Sequence, residues 1–194
     1  MRFLPEHDRD CFCKFNSPVG ILYIIGKEEF LKSIILKNKT GSEINYLKNI
    51  PEKETQAITQ CLTYLTNYFS GGAQYILVKS KCGNQILSIF YKNKKSESLE
   101  LNLNVYGYTA KEISVYQNLL DVGFGRTVSY DYLAEKSGVH GGARFIGNAM
   151  AGNRFPIIIP CHRVIRKNGR PGKYSSGPEV KKYLLRMEGS SWKN

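Results

Sequence analysis

The hydrophobic period of this chain changes part-way along, and a chain with two periods needs two kinds of layer to bury them. Residues 11–36 alternate in strand fashion around turns at "NSPVG" and "GKEEF", with apolar runs "ILYII" and "LKSIIL". That pattern reads as a hairpin or meander. "PEKETQAITQCLTYLTNYFSGG" reads as a helix, with Pro51 in the first turn, acids after it and Gly71-Gly72 as its stop. "AQYILV" and "QILSIFY" read as further strands. From Thr109 the spacing is helical. Thr109-Ala-Lys-Glu112 is a capping box opening a helix whose Ile113, Tyr116, Leu119 and Leu120 form an apolar stripe. A short helix capped by Ser129 or a neighbour ends at Gly138, and "VHGGARFIGNAMAGN" starts another. Two short helices across a glycine-bearing turn outline a helix-turn-helix. A last helix opens at Pro178, with Val180, Tyr183, Leu184 and Met187 as its apolar face. The charged, polar segment "KNKKSESLELN" (92–102) is the candidate linker. The expected organisation is an α/β N-terminal scaffold domain, a small antiparallel sheet plus helix, over 1–98. A mainly α-helical C-terminal domain with a helix-turn-helix follows over 99–194.

Charge narrows the partner. The 194 residues carry a formal +12. Residues 107–194 hold 14 Lys/Arg against 6 Asp/Glu, while residues 1–106 hold 14 against 10. An excess concentrated in the second half points to a polyanion, nucleic acid or an anionic membrane surface, with a solvated basic surface as the alternative. "MRFLPEHDRD" is charged where a secretory signal would be apolar, and no apolar run approaches the ~20 residues of a membrane helix. The expectation is a soluble, cytoplasmic protein (nuclear if eukaryotic), probed by no membrane.

Five cysteines, an odd number, do not make a secreted disulfide framework. Cys61 shares an apolar helical face with Ile58, Leu62, Leu65 and Phe69 and reads as core, and Cys82 lies in a polar, turn-like segment. Cys11, Cys13 and His7, completed by Cys61 or Cys82, are a conceivable metal set that ranks below inert thiols. A local Cys11–Cys13 disulfide is a further option.

Cys161 stands apart, in "IIIPCHRVI". Pro160 fixes the entry of the chain, His162 and Arg163 would favour thiolate if they face the sulfur, and the aliphatic run makes a dry wall. Read as extended, this segment points Cys161 and His162 to opposite faces, so coupling between them runs through a water. His7 and His140 offer no better partner, which leaves a cysteine hydrolase weakly supported. On the second short helix, Ile146, Ala149 and Met150 share one side, and Arg144, Gly147, Asn148 and Ala151 another. The latter face has one long cation among small side chains. It suits close approach to a phosphate-lined groove, or alternatively a close helix–helix contact through Gly147 and Ala151.

"IPCHRVI", preceded by "SYDYLAEKSG" and "ARFIGNAMAGNRFPI" and followed by "GKYSSG" and "LLRMEG", resembles the methylated-DNA–protein-cysteine methyltransferases, the O6-alkylguanine-DNA alkyltransferase family. The match covers residues 108–189; "SPVGILYIIG" resembles the family's first strands, and 40–106 match in outline. The resemblance implies irreversible, stoichiometric transfer of an alkyl group from O6 of guanine, and from O4 of thymine, in double-stranded DNA to Cys161. It implies no cofactor and a monomer; some relatives carry a zinc, but no convincing zinc set stands in the N-terminal half, so no metal is expected. His162 would be the base through a water, and Glu188 the carboxylate that orients it. Tyr130 would donate to the departing O6 and lie near the rotated 3′ phosphate, and Ser175 would offer a backbone donor to O6. The carbonyls of Cys161 and Val164 would accept from the guanine amino group. Tyr174, Met150 and Pro156 would wall the base pocket, and Asn153 would tie the active-site turn to the recognition helix. Arg144 would fill the place of a flipped-out base, with Ala143, Gly147 and Ala151 in the minor groove. Lys173 stands where relatives often have a small residue or Asn, and Ser176 where Gly is frequent, which bears on bulky adducts. Two other classes remain: a non-catalytic damage binder, which in relatives has Trp for the cysteine, and a helix-turn-helix regulator, whose recognition face would need more polar side chains.

Overall fold

The computed structural model describes residues 9–36, 45–71, 75–93 and 97–193. The chain divides into two units, Met1–Tyr106 and Gly107–Asn194. In the first, β1 (Cys11–Ser17), β2 (Gly20–Gly26), β3 (Leu31–Leu36), β4 (Tyr75–Gly83), β5 (Ile86–Asn93) and β6 (Ser98–Asn104) form one six-stranded sheet in the order β1-β2-β3-β6-β5-β4. The β3–β6 contact, Leu31 opposite Leu103, is parallel. The sheet is therefore larger than expected and mixed rather than antiparallel. It joins two meanders, and helix α1 (Gln56–Phe69) lies between them in sequence and packs against β6 and β2.

Two boundaries move from their expected places. Helix α1 begins at Gln56 with Thr55 as N-cap, its hydroxyl accepting from Ile58 N–H at 3.4 Å. Pro51 and the acids after it lie outside the helix. Phe12 N–H donates to Pro51 O at 3.1 Å and Lys53 N–H to Phe12 O at 3.0 Å, so this segment covers the edge of β1. That cover explains why Ile25 is buried although its neighbour Ile24 is buried too: Phe12, Ile25, Ile35 and Leu47 form a second apolar cluster. The candidate linker 92–102 is also corrected. Its ends are β5 and β6, paired from Lys92 opposite Ser98 to Ile86 opposite Asn104, and the units meet at 106/107 rather than 98/99. Leu99, Leu101 and Leu103 alternate with polar residues there, a period-2 pattern masked by its charged start.

Cys61 is fully buried, as read. Cys11 and Cys13 are buried free thiols on β1, and Cys82 lies on β4 rather than in a turn. Residues two apart on a strand stand ~6.7 Å apart, at the limit of disulfide reach. His7, residues 72–74 (with Gly72 of the expected helix stop) and residues 94–96 lie outside the described residues. Among the described residues no group of three or more His, Cys, Asp or Glu could hold a metal ion, and no helix is long and apolar enough to cross a membrane.

The second unit runs α2 (Ala110–Leu120), β7 (Val128–Ser129), α3 (Tyr130–Lys136), α4 (Ala143–Ala151), a 3-10 turn (Cys161–Arg163), β8 (Val164–Ile165) and α5 (Pro178–Met187). The capping box is complete, with Glu112 N–H donating to Thr109 Oγ1 at 3.2 Å and Thr109 N–H to Glu112 Oε2 at 2.8 Å. The stripe of α2 buries Val115, Tyr116, Leu119 and Leu120, and Ile113 is only half-buried. Two-residue strands β7 and β8 pair in parallel, Val128 opposite Val164 and Ser129 opposite Ile165. That pairing ties the N-cap of α3 to the end of the cysteine turn. Tyr116, wholly buried, donates its hydroxyl to Ala149 O at 2.8 Å and so fixes the last turn of α4 to α2. Replacing that hydroxyl leaves a buried carbonyl unsatisfied, at about 1–3 kcal/mol. Tyr116→Phe should therefore lower the urea midpoint with the m-value unchanged; an unaltered midpoint would show that the bond contributes nothing.

Candidate active site

The aliphatic run before Cys161 is not a strand. Ile157, a β-branched residue, takes φ 76, and Ile159 N–H donates to Phe155 O at 2.9 Å, folding "FPIIIP" into a tight turn. Positive φ at such a residue is strained and persists only where packing dictates it. Here Phe155, Ile157, Ile158 and Ile159 are all at most 1 % exposed. Asn153 braces the turn: its Nδ2 donates to Ile159 O at 2.9 Å, and its Oδ1 accepts from Phe155 N–H at 2.9 Å. Cys161 then enters a 3-10 turn, in which successive side chains fan out by about a third of a circle rather than alternating. This corrects the extended reading.

The three side chains go to different places. Cys161 lies at the floor of a cavity of about 710 Å³. Its Sγ is 3.8 Å from Tyr174 Oη. Burial pushes the thiol up, opposed by hydrogen bonds from Asn153 and Tyr174 and by the charge of Lys181. His162 points inward, fully buried, with Nε2 2.8 Å from Glu188 Oε1. A carboxylate only accepts, so Nε2 carries the proton, and Nδ1, also buried, is the basic nitrogen of that tautomer. Burial holds His162 below its ordinary value, hence neutral. Arg163 does not face the sulfur. Its Nε and Nη2 grip Glu188 Oε2 and Oε1 at 2.9 and 3.0 Å, and Nη1 donates to Val122 O at 2.5 Å. Burial raises the Glu188 carboxyl, but the donors from His162 and Arg163 outweigh it and hold the group well below the usual carboxylate range.

Two residues in this network escaped the sequence reading. Gly125 N–H donates to Glu188 Oε2 at 3.3 Å, and with φ +75 a Cβ there would lie 2.8 Å from Glu188 O. Lys181 is 1 % exposed, with Nζ donating to Val164 O at 2.6 Å and lying 5.9 Å from the Tyr174 ring centroid. Burial lowers its pKa to about 8. The buried face of α5 is Lys181, Leu184 and Leu185, followed by Glu188, whereas Tyr183 is exposed and Val180 and Met187 are half-buried. The same i, i+3, i+4, i+7 spacing begins one residue later than expected. Two ionisable residues at the ends of that face were the available signal.

The cavity brings together Tyr130, Ala143, Arg144, Gly147, Asn148, Met150, Ala151, Cys161, Lys173, Tyr174 and Ser175, all singled out from the sequence, and adds Asp131, Arg166, Lys167 and Gly172. Pro156, expected as a wall of the pocket, and Val164 are buried and are not among the residues that line it. On α4, Ile146, Ala149 and Met150 are buried, while Arg144, Asn148 and Ala151 are exposed. A Cβ built on Gly147 meets nothing within 4 Å. The small-residue face is therefore open, which removes the alternative of a close helix–helix contact.

Two outcomes follow. Glu188→Ala strands the buried Arg163 charge and should cost about 3–5 kcal/mol by chemical denaturation. Acid should weaken the fold through the same network. The folded pKa values of His162 and Glu188 lie below their ordinary 6.5 and 4.5, so the unfolded chain binds these protons more readily. Stability is then complete above about pH 6.5 and declines below it, first through His162 and then through Glu188. A urea midpoint flat from neutral pH down to about pH 5 would contradict this.

Comparison with known proteins gives the family. A family model described as 6-O-methylguanine DNA methyltransferase, DNA binding domain, matches residues 110–190. The methylated-DNA–protein-cysteine methyltransferase of Homo sapiens is 32% identical over 197 residues, covering 94% of this chain and 83% of the relative. That of Cricetulus griseus is 33% identical over 184 residues, covering 90% and 80%. The structure of Mycobacterium tuberculosis OGT in complex with DNA superposes with a TM-score of 0.68 at 26% identity, covering 92% of each chain. With similarity running through both units, the chain belongs to the methylated-DNA–protein-cysteine methyltransferase family.

Proposed function

We propose that the chain repairs DNA by moving an alkyl group from O6 of guanine to Cys161, once per molecule. The observation that carries this reading is a buried thiol at the floor of an open cavity, backed by the His162–Glu188 pair at 2.8 Å. The alkyl carbon is attacked in line by sulfur: an S–C bond forms as the C–O6 bond breaks. The thiol proton passes through a water to His162 Nδ1, and Glu188 stabilises the imidazolium that results. Guanine leaves with its O6 protonated by the Tyr130 hydroxyl, assisted by the backbone of Ser175. Lys181 opposes the desolvation that otherwise keeps Cys161 neutral, because its ammonium favours thiolate.

A stacked base cannot reach a thiol at the floor of a cavity. The nucleotide is therefore flipped, at a cost of a few kcal/mol, and held against Tyr174 and Met150. The second lone pair of the Cys161 carbonyl accepts from the guanine amino group, the first already accepting from Val164 N–H; the Val164 carbonyl expected beside it is buried and holds Lys181 Nζ instead. Helices α3 and α4 act as a helix-turn-helix. Ala143, Gly147 and Ala151 lie against the minor groove, and Arg144 fills the vacated stack. O4-alkylthymine presents the same electrophile and is a second substrate. The protein acts as a monomer on double-stranded DNA without a cofactor. Lys173 and Ser176 beside the cavity disfavour bulky adducts.

Intact-protein mass after mixing with a duplex carrying one O6-methylguanine tests the chemistry. At most one methyl group should be gained per protein, mapped to the Cys161 peptide and absent in Cys161→Ala. Tight binding without a mass change would instead make the chain a damage binder. Lys181→Met should slow single-turnover transfer by about tenfold, the fall in thiolate for a one-unit rise of the thiol pKa; an unchanged rate at neutral pH would exclude its electrostatic role. Gly147→Leu should leave the fold at least as stable, since leucine is the better helix former by about 1 kcal/mol, and yet weaken DNA binding. Retained affinity would mean that α4 does not enter the groove.

A further inference from the structure

Beside the reactive cavity, residues 166–173 ("RKNGRPGK") place four cations and no acid in eight positions. The loop is held in shape. Arg166 N–H donates to Arg170 O at 2.8 Å, Gly169 N–H to Arg166 O at 2.8 Å, and Lys193 N–H to Gly169 O at 2.9 Å. Arg166, Lys167, Arg170 and Lys173 are all exposed, and among the described residues none of them forms an ion pair. Like charges fixed this close repel one another, a cost that an anion removes.

Three of these cations converge. Arg166, Arg170 and Lys173 line a second cavity of about 540 Å³ with Gly172, Tyr174 and Pro178. It adjoins the first, since Arg166, Gly172, Lys173 and Tyr174 line both. Arg166 stands at the junction. Its Nε and the Tyr130 hydroxyl each lie 3.5 Å from the point where a Cβ on Gly172 would sit. A base seated against Tyr174 must lead its own sugar-phosphate chain out of the cavity. Tyr130 and Arg166 meet beside Gly172, so a chain that leaves past Tyr130 meets Arg166.

We propose that this second cavity is a phosphate site, taking the backbone of the alkylated strand where it leaves the flipped nucleotide. This rests on the alkyl-transfer reading above. Arg166, Arg170 and Lys173 neutralise the phosphates next to the damaged base, so the footprint extends beyond the face of α4. A flat anionic membrane fits less well, because the cations line a concavity and a duplex strand enters one where a bilayer surface does not.

The test measures binding of a short duplex, with and without O6-methylguanine, as salt is varied, for the full chain, for R170Q and K173Q, and for K111Q on α2 as a control. Each of R170Q and K173Q should reduce the slope of log affinity against log salt by about 0.9, and the pair should weaken binding about tenfold at ~0.1 M salt. K111Q should leave the slope as it is. Methylphosphonates at the phosphates flanking the lesion should abolish the difference between R170Q and the unmodified protein. Full slopes in both variants, with DNA still bound, overturn this inference alone. A persistent difference on methylphosphonate DNA overturns it as well. Absence of binding by the unmodified protein overturns the repair reading with it. Unchanged DNA slopes alongside lost binding to phosphatidylserine vesicles would assign the loop to a membrane instead.

Discussion

The Glu188 carboxylate organises the second unit. It accepts from His162, twice from Arg163 and from the Gly125 backbone, and so joins the end of α5, the cysteine turn and the loop after α2 in one buried point. A charge taken out of water is costly unless every lone pair is used, and here four donors converge on two oxygens. Because the network is satisfied only when all three segments are in place, it specifies their arrangement as much as it stabilises it. The imidazole is thereby set in one tautomer, while burial, against the pull of the carboxylate, keeps it neutral.

The same dryness works against the nucleophile. A thiol at 3 % exposure resists ionising, yet transfer requires thiolate. The opposing influences are short-ranged and placed by different elements: Asn153 from the end of α4, Tyr174 from the loop before α5, and Lys181 from α5 itself. Lys181 is itself near its limit, with burial bringing it to about 8. Two groups that would each be neutral in a dry pocket can share a charge-separated state, because each offsets the other's desolvation. Reactivity is thus confined to the folded protein.

Charge on the outside complements this interior. The small-residue face of α4 offers close approach with one long cation, and the loop 166–173 offers density of charge. In the reading proposed above, the first follows the shape of a groove and the second attracts the backbone of a strand. The α4 face carries few polar side chains, Arg144 and Asn148, so on the proposed reading selection falls mainly to the cavity and the base placed in it.

Much of this was legible before any coordinates. The capping box, Ser129 as a cap, the two faces of α4 and the thiol after Pro160 all depend on residues near in sequence, where short-range sterics and periodicity decide. What misled were segments governed by distant partners. "KNKKSESLELN" looked like a linker because its charges were visible and its pairing with β5 was not. The run "FPIIIP" looked like a strand because hydrophobicity does not reveal that packing will force Ile157 to positive φ. Whether Arg163 faces the sulfur was left open, and Lys181 was passed over, because a buried ion chooses its partner from the whole unit rather than from its neighbours. The sequence by itself determined which chemistry the chain carries, since a family's reactive residues sit in short contiguous motifs. Only the tertiary structure decided which charges face the thiol, which face Glu188 and which remain for an anion, because desolvation and Coulomb energies depend on distances that no linear pattern records.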